Sequence, residues 1–178
     1  MPPSIVCISR EMQNVSFRTK VLPLSDRLFR LALSITANRA EAQDVVQDTL
    51  LKVWEHRAEW EQIGSLEAYA ITICRNRALD ATKRAGRSNA QLDEAAPITG
   101  QAPHLQMEAR EQLSLVQRLM QELPEAQRTI MQLRDIEGMS YQEIADTMGI
   151  SETQVKVYLH RARTKIKQQI DQTEQYGL

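Results

Sequence analysis

Ser140-Tyr141-Gln142-Glu143-Ile144-Ala145-Asp146-Thr147-Met148-Gly149-Ile150-Ser151-Glu152-Thr153-Gln154-Val155-Lys156-Val157-Tyr158-Leu159-His160 is the stretch that decides the fold. Ser140 followed three residues later by Glu143 is a capping box, in which hydroxyl and carboxylate satisfy each other's orphan backbone amides. The helix it opens turns Ile144, Ala145 and Met148 inward and stops at Gly149, a residue suited to a left-handed backbone position. Ser151 then caps a longer helix with an apolar stripe at Val155, Leu159, Ala162, Ile166 and Ile170. Ala145 is small where two crossing helices must approach, and Val155 fills the angle between them. A capped short helix, a tight glycine turn and a long helix make the bihelical unit that lays its second helix in the major groove of DNA.

At about 100° per residue, the positions opposite the inward stripe are Thr153, Val157, His160 and Thr164, flanked by Lys156, Arg161 and Lys167. Short polar and apolar groups suit base edges and thymine methyls, and the flanking cations suit phosphates. The competing reading is a plain helical hairpin with a solvated basic face.

Helical spacing extends outward from this unit. Leu113, Val116, Leu119, Met120 and Leu123 form one stripe, ended by Pro124. Pro124 belongs in the first turn of the next helix, expected over Glu125 to Ile136 and closed by Gly138. Nearer the N-terminus, Leu24, Leu28, Leu31, Ala32 and Ile35 form a stripe, as do Ala42, Val45, Val46, Thr49, Leu50, Val53 and Trp54. A polar break, Glu59-Trp60-Glu61-Gln62-Ile63-Gly64, precedes Ser65, the N-cap of a third helix from Leu66 to about Lys83. Between the halves, residues 85 to about 104 hold Gly86, Pro97, Gly100 and Pro103 without helical period and read as a linker. No stretch alternates like a strand. The fold class is all-α, two small helical domains joined by a flexible linker.

Composition narrows the function classes. The chain has 178 residues, 42% hydrophobic and 25% charged, with 22 basic against 23 acidic residues and a net charge of −1. That suits an ordinary globular chain and argues against one that coats nucleic acid non-specifically. Ile5-Val6-Cys7-Ile8 is the longest apolar run near the N-terminus, far short of a signal core or a membrane span, so a cytoplasmic location without direct membrane insertion is expected. Cys7 and Cys74 lack CxxC spacing and read as reduced thiols; His56, His104 and His160 are too scattered for a metal site. No cofactor, metal or small-molecule substrate is expected. Met1 to Glu11 lacks helical pattern, which makes Met12 an alternative start.

Two patches in the first half are chemically suggestive. Asp44 and Asp48 lie one helical turn apart, with Glu41, Glu55, Glu59 and Glu61 nearby. Paired carboxylates suggest acid–base chemistry, but no nucleophile, histidine or glycine-rich loop converges on them, so a solvated face or a docking surface for a basic partner remains. Arg75, Arg77, Lys83, Arg84 and Arg87 cluster on and after the third helix with Asn76 and Tyr69, and Trp60 stands in the break before it. Cations for phosphates, an aromatic for stacking and an amide for a base edge match single-stranded DNA. Alternatively, Trp60 and Tyr69 are core and the cations merely solvated.

Asp44 through Trp54, then Ser65 to Arg84 with Ile73-Cys74-Arg75-Asn76-Arg77-Ala78-Leu79-Asp80, resembles region 2 of bacterial sigma factors. Leu123-Pro124-Glu125-Ala126-Gln127-Arg128 and Gly138 to Ala145, through Val155 to Lys165, resemble region 4. With no recognisable region 1 or 3, the chain resembles the compact extracytoplasmic-function (ECF) branch of the sigma-70 family. The resemblance divides it into an N-terminal extension at 1–19, expected to be poorly ordered, region 2 at 20–87, a linker at 88–106, and region 4 at 107–174. It implies a non-enzymatic, dissociable subunit of RNA polymerase. Asp44, Val45, Gln47, Asp48, Leu51 and Trp54 would dock on the clamp helices of the largest subunit, and region 4 on the flap of the second-largest. Lys156, Val157, His160 and Arg161 would read the −35 promoter element, overlapping the face that also presents Thr153 and Thr164. The family's −10 pocket maps to Trp60, Glu61, Gln62, Ile63, Gly64 and Ser65. Asn76 would line it, with Arg75, Arg77, Lys83 and Arg84 near the DNA backbone. Tyr69 stands where relatives often carry Trp. The resemblance further implies an anti-sigma partner, often membrane-bound, and nucleoid association when active. The rivals are a promoter-binding regulator that acts without polymerase and a helical adaptor with no DNA role.

Overall fold

Apolar residues three and four apart, separated by capping side chains, produce a chain of helices in the computed structural model, which describes residues 16–87 and 115–175. Helix α1, Ser25–Thr36, buries Leu28, Leu31, Ala32, Leu33 and Ile35. It ends where Ala37 takes a left-handed conformation (φ +53°) and returns its N–H to the Leu33 carbonyl at 2.9 Å. The Asn38 side chain then accepts from the Glu41 N–H at 3.0 Å, starting α2, Arg39–Glu55. A 3₁₀ turn, Arg57–Gln62, leads to Ser65, whose hydroxyl accepts from the Ala68 N–H at 3.2 Å and caps α3, Leu66–Arg87. These three helices pack mutually and bury Val45, Val46, Thr49 and Val53 of α2 and Ala70, Ile71, Cys74 and Ala78 of α3.

In the second half, α4 (residues 115–121) leads through Pro124 into α5, Glu125–Met131, prolonged by a π-helical turn at Gln132–Ile136. The expected helix to Ile136 is therefore present, with a widened last turn: the Glu137 N–H reaches back to the Gln132 carbonyl at 3.0 Å. Gly138 (φ +72°) reverses the chain into α6, Tyr141–Met148, and Gly149 (φ +67°) turns it into α7, Glu152–Gln175. No strand occurs among the described residues, as the sequence predicts.

Two features go beyond the sequence reading. The structured part begins before residue 20: Phe17 packs against Trp54 with ring centroids 5.2 Å apart, and Val21 is fully buried. The two halves are also not merely tethered. Helix α1 contacts α5, α3 contacts α6, and one apolar cluster runs from Leu28 and Ile71 through to Ile144 and Leu159. Glu137 fastens the contact. Its carboxylate accepts from Arg30 Nε at 2.9 Å and Nη2 at 2.8 Å, its carbonyl accepts from Arg27 Nη2 at 2.7 Å, and Arg27 also pairs with Glu67. The expected linker at 88–106, most of the N-terminal extension, Cys7 and His104 lie outside the described residues.

Cys74 is fully buried, its Sγ donating to the Leu28 carbonyl at 3.4 Å. Burial pushes its thiol up to about 12, far from a reactive thiolate at neutral pH. Native Cys74 is therefore expected to resist iodoacetamide at pH 8 and to react only in denaturant. Peptide mass mapping checks this; rapid native labelling would show that the bundle opens locally. Among the described residues no helix is long and apolar enough to cross a membrane.

Candidate nucleic-acid interface

The helix-turn-helix forms as its sequence dictates. Ser140 Oγ accepts from the Glu143 N–H at 3.2 Å, and the Glu143 carboxylate accepts from the Ser140 N–H at 2.8 Å. Hydrogen bonding from Ser140, its side chain first and then its backbone N–H, holds the Glu143 carboxyl below its ordinary value. Ser151 and Gln154 repeat the arrangement at the head of α7, with contacts of 3.2 and 2.9 Å.

One face of α7 is sealed. Val155, Leu159, Ala162 and Ile166 are buried, whereas Thr153, Lys156, Val157, His160, Arg161 and Thr164 are all exposed. Val157 leaves an apolar side chain 41% exposed in the middle of that polar face, where no folding contact explains it. Lys156 stands over the Tyr141 ring at 5.5 Å, which holds the ammonium beside the turn. Arg163 points elsewhere and pairs with Asp135.

On α2, Asp44, Gln47, Asp48 and Leu51 are exposed, Leu51 by 57%. Asp44, Gln47 and Asp48 border an open groove of about 460 Å³ between α2 and α3, lined also by Glu41, Arg77 and Arg84. Val45 lines the same groove. It is 5% exposed because α2 packs on both α1 and α3 and needs a wide apolar stripe. Trp54 is only half-buried, wedged edge-on against Phe17, with the Arg57 guanidinium 4.6 Å from its ring.

The basic patch on α3 is less uniform than the sequence suggests. Trp60 does not stand free for stacking on a base: it is 8% exposed, and its Nε1 donates to the Val53 carbonyl at 3.1 Å. The 3₁₀ turn folds it over α2, where Phe17 stacks at 6.3 Å and Trp54 meets it edge-on at 6.3 Å. Next to it, Glu61, Gln62, Gly64 and Ser65 are exposed and Ile63 is half-buried. Tyr69 packs half-buried against the core, and burial raises its phenol above the usual range. Asn76, Lys83 and Arg84 are exposed. Arg77 donates to Asp48 at 2.9 Å, tying the basic patch to the acidic face. Arg75 is turned the other way, to the Glu125 carboxylate of α5 at 3.2 Å. The side chain of Arg87 lies outside the described residues. Sequence reasoning missed Arg27, Arg30 and Glu137, because isolated arginines and a lone glutamate before a glycine carry no local signal of partnership.

Comparison with known proteins accounts for both halves. The family model described as Sigma-70 region 2 matches residues 21–88, and that described as Sigma-70, region 4 matches residues 113–166. The chain is similar to the ECF RNA polymerase sigma factor SigL of Mycobacterium tuberculosis, 33% identical over 141 residues, 76% of this chain and 77% of that protein. It is similar to SigE of Mycolicibacterium smegmatis, 29% identical over 148 residues, and there spans 80% of this chain but only 57% of the relative's length. Its fold is similar to that of the sigma factor RpoE of Bartonella quintana, solved in complex with the anti-sigma factor NepR. That match has a TM-score of 0.74 and 25% identity, covering 88% of this chain and 97% of the other. The chain belongs to the ECF branch of the sigma-70 family and is an RNA polymerase sigma factor built from regions 2 and 4.

Proposed function

We propose that region 4 reads a −35 element through the exposed face of α7, and that region 2 recognises and opens a −10 element. One observation carries this reading: Thr153, Lys156, Val157, His160, Arg161 and Thr164 share one solvent face of a helix whose opposite face is closed. Lys156 and Arg161 meet phosphates or guanine edges, His160 and the threonines meet polar base edges, and Val157 meets a thymine methyl.

In region 2, the exposed turn at Glu61, Gln62, Gly64 and Ser65 together with Asn76 forms the pocket side, and Arg75, Arg77, Lys83 and Arg84 follow the backbone. Unstacking a base costs a few kcal/mol, and aromatic stacking offsets ~1–3 kcal/mol per base. With Trp60 engaged in the core, that offset must come from polar contacts and from polymerase, so promoters should need both elements. The acidic groove edge of Asp44, Gln47 and Asp48, with the exposed Leu51 of the same helix, docks on the clamp helices of the largest subunit, and region 4 on the flap of the second-largest. The role is that of a non-catalytic initiation subunit in the cytoplasm, bound and restrained by an anti-sigma protein; the Bartonella relative was solved in complex with one.

Permanganate probing of thymines on a cognate promoter tests the melting role. Core enzyme with this chain is expected to render −10 thymines reactive on templates with both elements and to lose most of that reactivity when the −35 element is scrambled. Undiminished melting without a −35 element would contradict the shared dependence.

A further inference from the structure

The turn that precedes α3 hangs on one side chain. Of Arg57–Gln62 only Trp60 is buried, whereas Glu61, Gln62, Gly64 and Ser65 after it are exposed. Nothing lies within 4 Å of the place a side chain at Gly64 would take. Trp60 is held from two directions. Its Nε1 donates at 3.1 Å to the Val53 carbonyl, one of the acceptors left over at the end of α2. Phe17 lies over its ring, nearly parallel at 9° with centroids 6.3 Å apart, and meets Trp54 edge-on at 5.2 Å. Offset stacking and edge-to-face contact are the arrangements that aromatic pairs favour, so both contacts attract beyond simple burial. Phe17 opens a π-helical turn, Phe17–Val21, which the fully buried Val21 anchors and which packs on α3. Phe17 precedes residue 21, where the match to region 2 begins.

We infer that Phe17 is a positioning residue for −10 recognition: by pressing Trp60 onto α2 it fixes the exposed turn from Glu61 to Ser65. This rests on the reading under Proposed function, which assigns that turn to the −10 pocket. A site that reads a single base must be held to within about 0.5 Å, so the contacts behind it matter as much as the groups that touch DNA. The hydrogen bond to Val53 pins one atom of Trp60 and leaves the indole free to swing about it. Stacking on Phe17 removes that freedom, and with it the freedom of the turn. Phe17 itself meets no base; it acts through Trp60. Trp54 has a second support in the Arg57 guanidinium, 4.6 Å from its ring. Loss of Phe17 therefore falls on the −10 turn more than on the docking edge of α2.

The test uses the full chain with core polymerase. Run-off transcription from a cognate promoter is compared with that from the same promoter carrying one changed −10 base. Phe17→Ala is expected to cut that ratio at least roughly fivefold, whereas Phe17→Tyr, which keeps the ring, stays within about twofold of the parent. Affinity for core enzyme, read by fluorescence anisotropy, should stay within about twofold in both, a separation that general loosening of region 2 would not give. The two tryptophans of the chain supply a local signature. Their emission should move to longer wavelength in Phe17→Ala and stay in place in Phe17→Tyr. Should Phe17→Ala lose helicity by far-UV circular dichroism, Phe17→Leu keeps apolar bulk without the ring and should still lower the ratio at least roughly threefold. Unfolding of both would make Phe17 a core residue and overturn the positioning role. An unchanged ratio in natively helical variants, or a fall matched by an equal fall in core affinity, would overturn that role alone. A parent that does not distinguish the two promoters would overturn −10 recognition itself, and this role with it.

Discussion

Lys156→Glu combined with Arg161→Glu is expected to reduce transcription from a cognate promoter roughly a hundredfold or more, since each contact of this kind is worth ~1–3 kcal/mol and reversal adds repulsion. Both side chains are exposed, and neither takes part in an ion pair among the described residues. The fold should therefore be unaffected, with helicity and retention by core polymerase within about twofold of the parent. Run-off transcription beside a core-binding assay separates the two quantities. A helical adaptor with no DNA role would tolerate both changes, so unaltered transcription would favour that rival.

The second large effect falls on the opposite end of the molecule. Asp44→Lys with Asp48→Lys replaces the acidic edge of the α2–α3 groove by a basic one. Removing one partner of a buried charge pair at an interface costs ~2–5 kcal/mol, so the double reversal should weaken core binding at least roughly a hundredfold. Internal damage is small: Asp48 loses its contact with Arg77, a partly exposed pair of the kind worth ~0.2–1 kcal/mol. Fluorescence anisotropy of the labelled chain against core enzyme reads the loss directly. An unaltered affinity would place the docking surface elsewhere, with the groove edge a solvated face.

These effects rest on residues whose positions the sequence largely disclosed. The caps at Ser65, Ser140 and Ser151, the turn at Gly149 and the inward stripe of α7 are local events, settled by side chains within four residues of one another. Local physics suffices there, and the outward face of α7 follows by geometry alone. Trp60 failed for the opposite reason. A tryptophan in a polar break looks dispensable to the core, but its partners Val53 and Phe17 come from the preceding helix and from a segment before α1. Val45 was legible twice, as a stripe residue and as a docking residue by resemblance; it is 5% exposed and also lines the α2–α3 groove. Arg75 and Glu137 were opaque because their partners lie across the two halves, at sequence separations of 50 and 107 residues that no periodicity reports.

The most direct measurement is run-off transcription by purified core polymerase on fragments of the source genome, with and without this chain. Discrete new transcripts whose start sites share a −10 and a −35 element, present only when the chain is added, are the result predicted. Failure of core enzyme to retain the chain, or a transcript pattern identical in its absence, would contradict the assignment of promoter selection to these two helical regions.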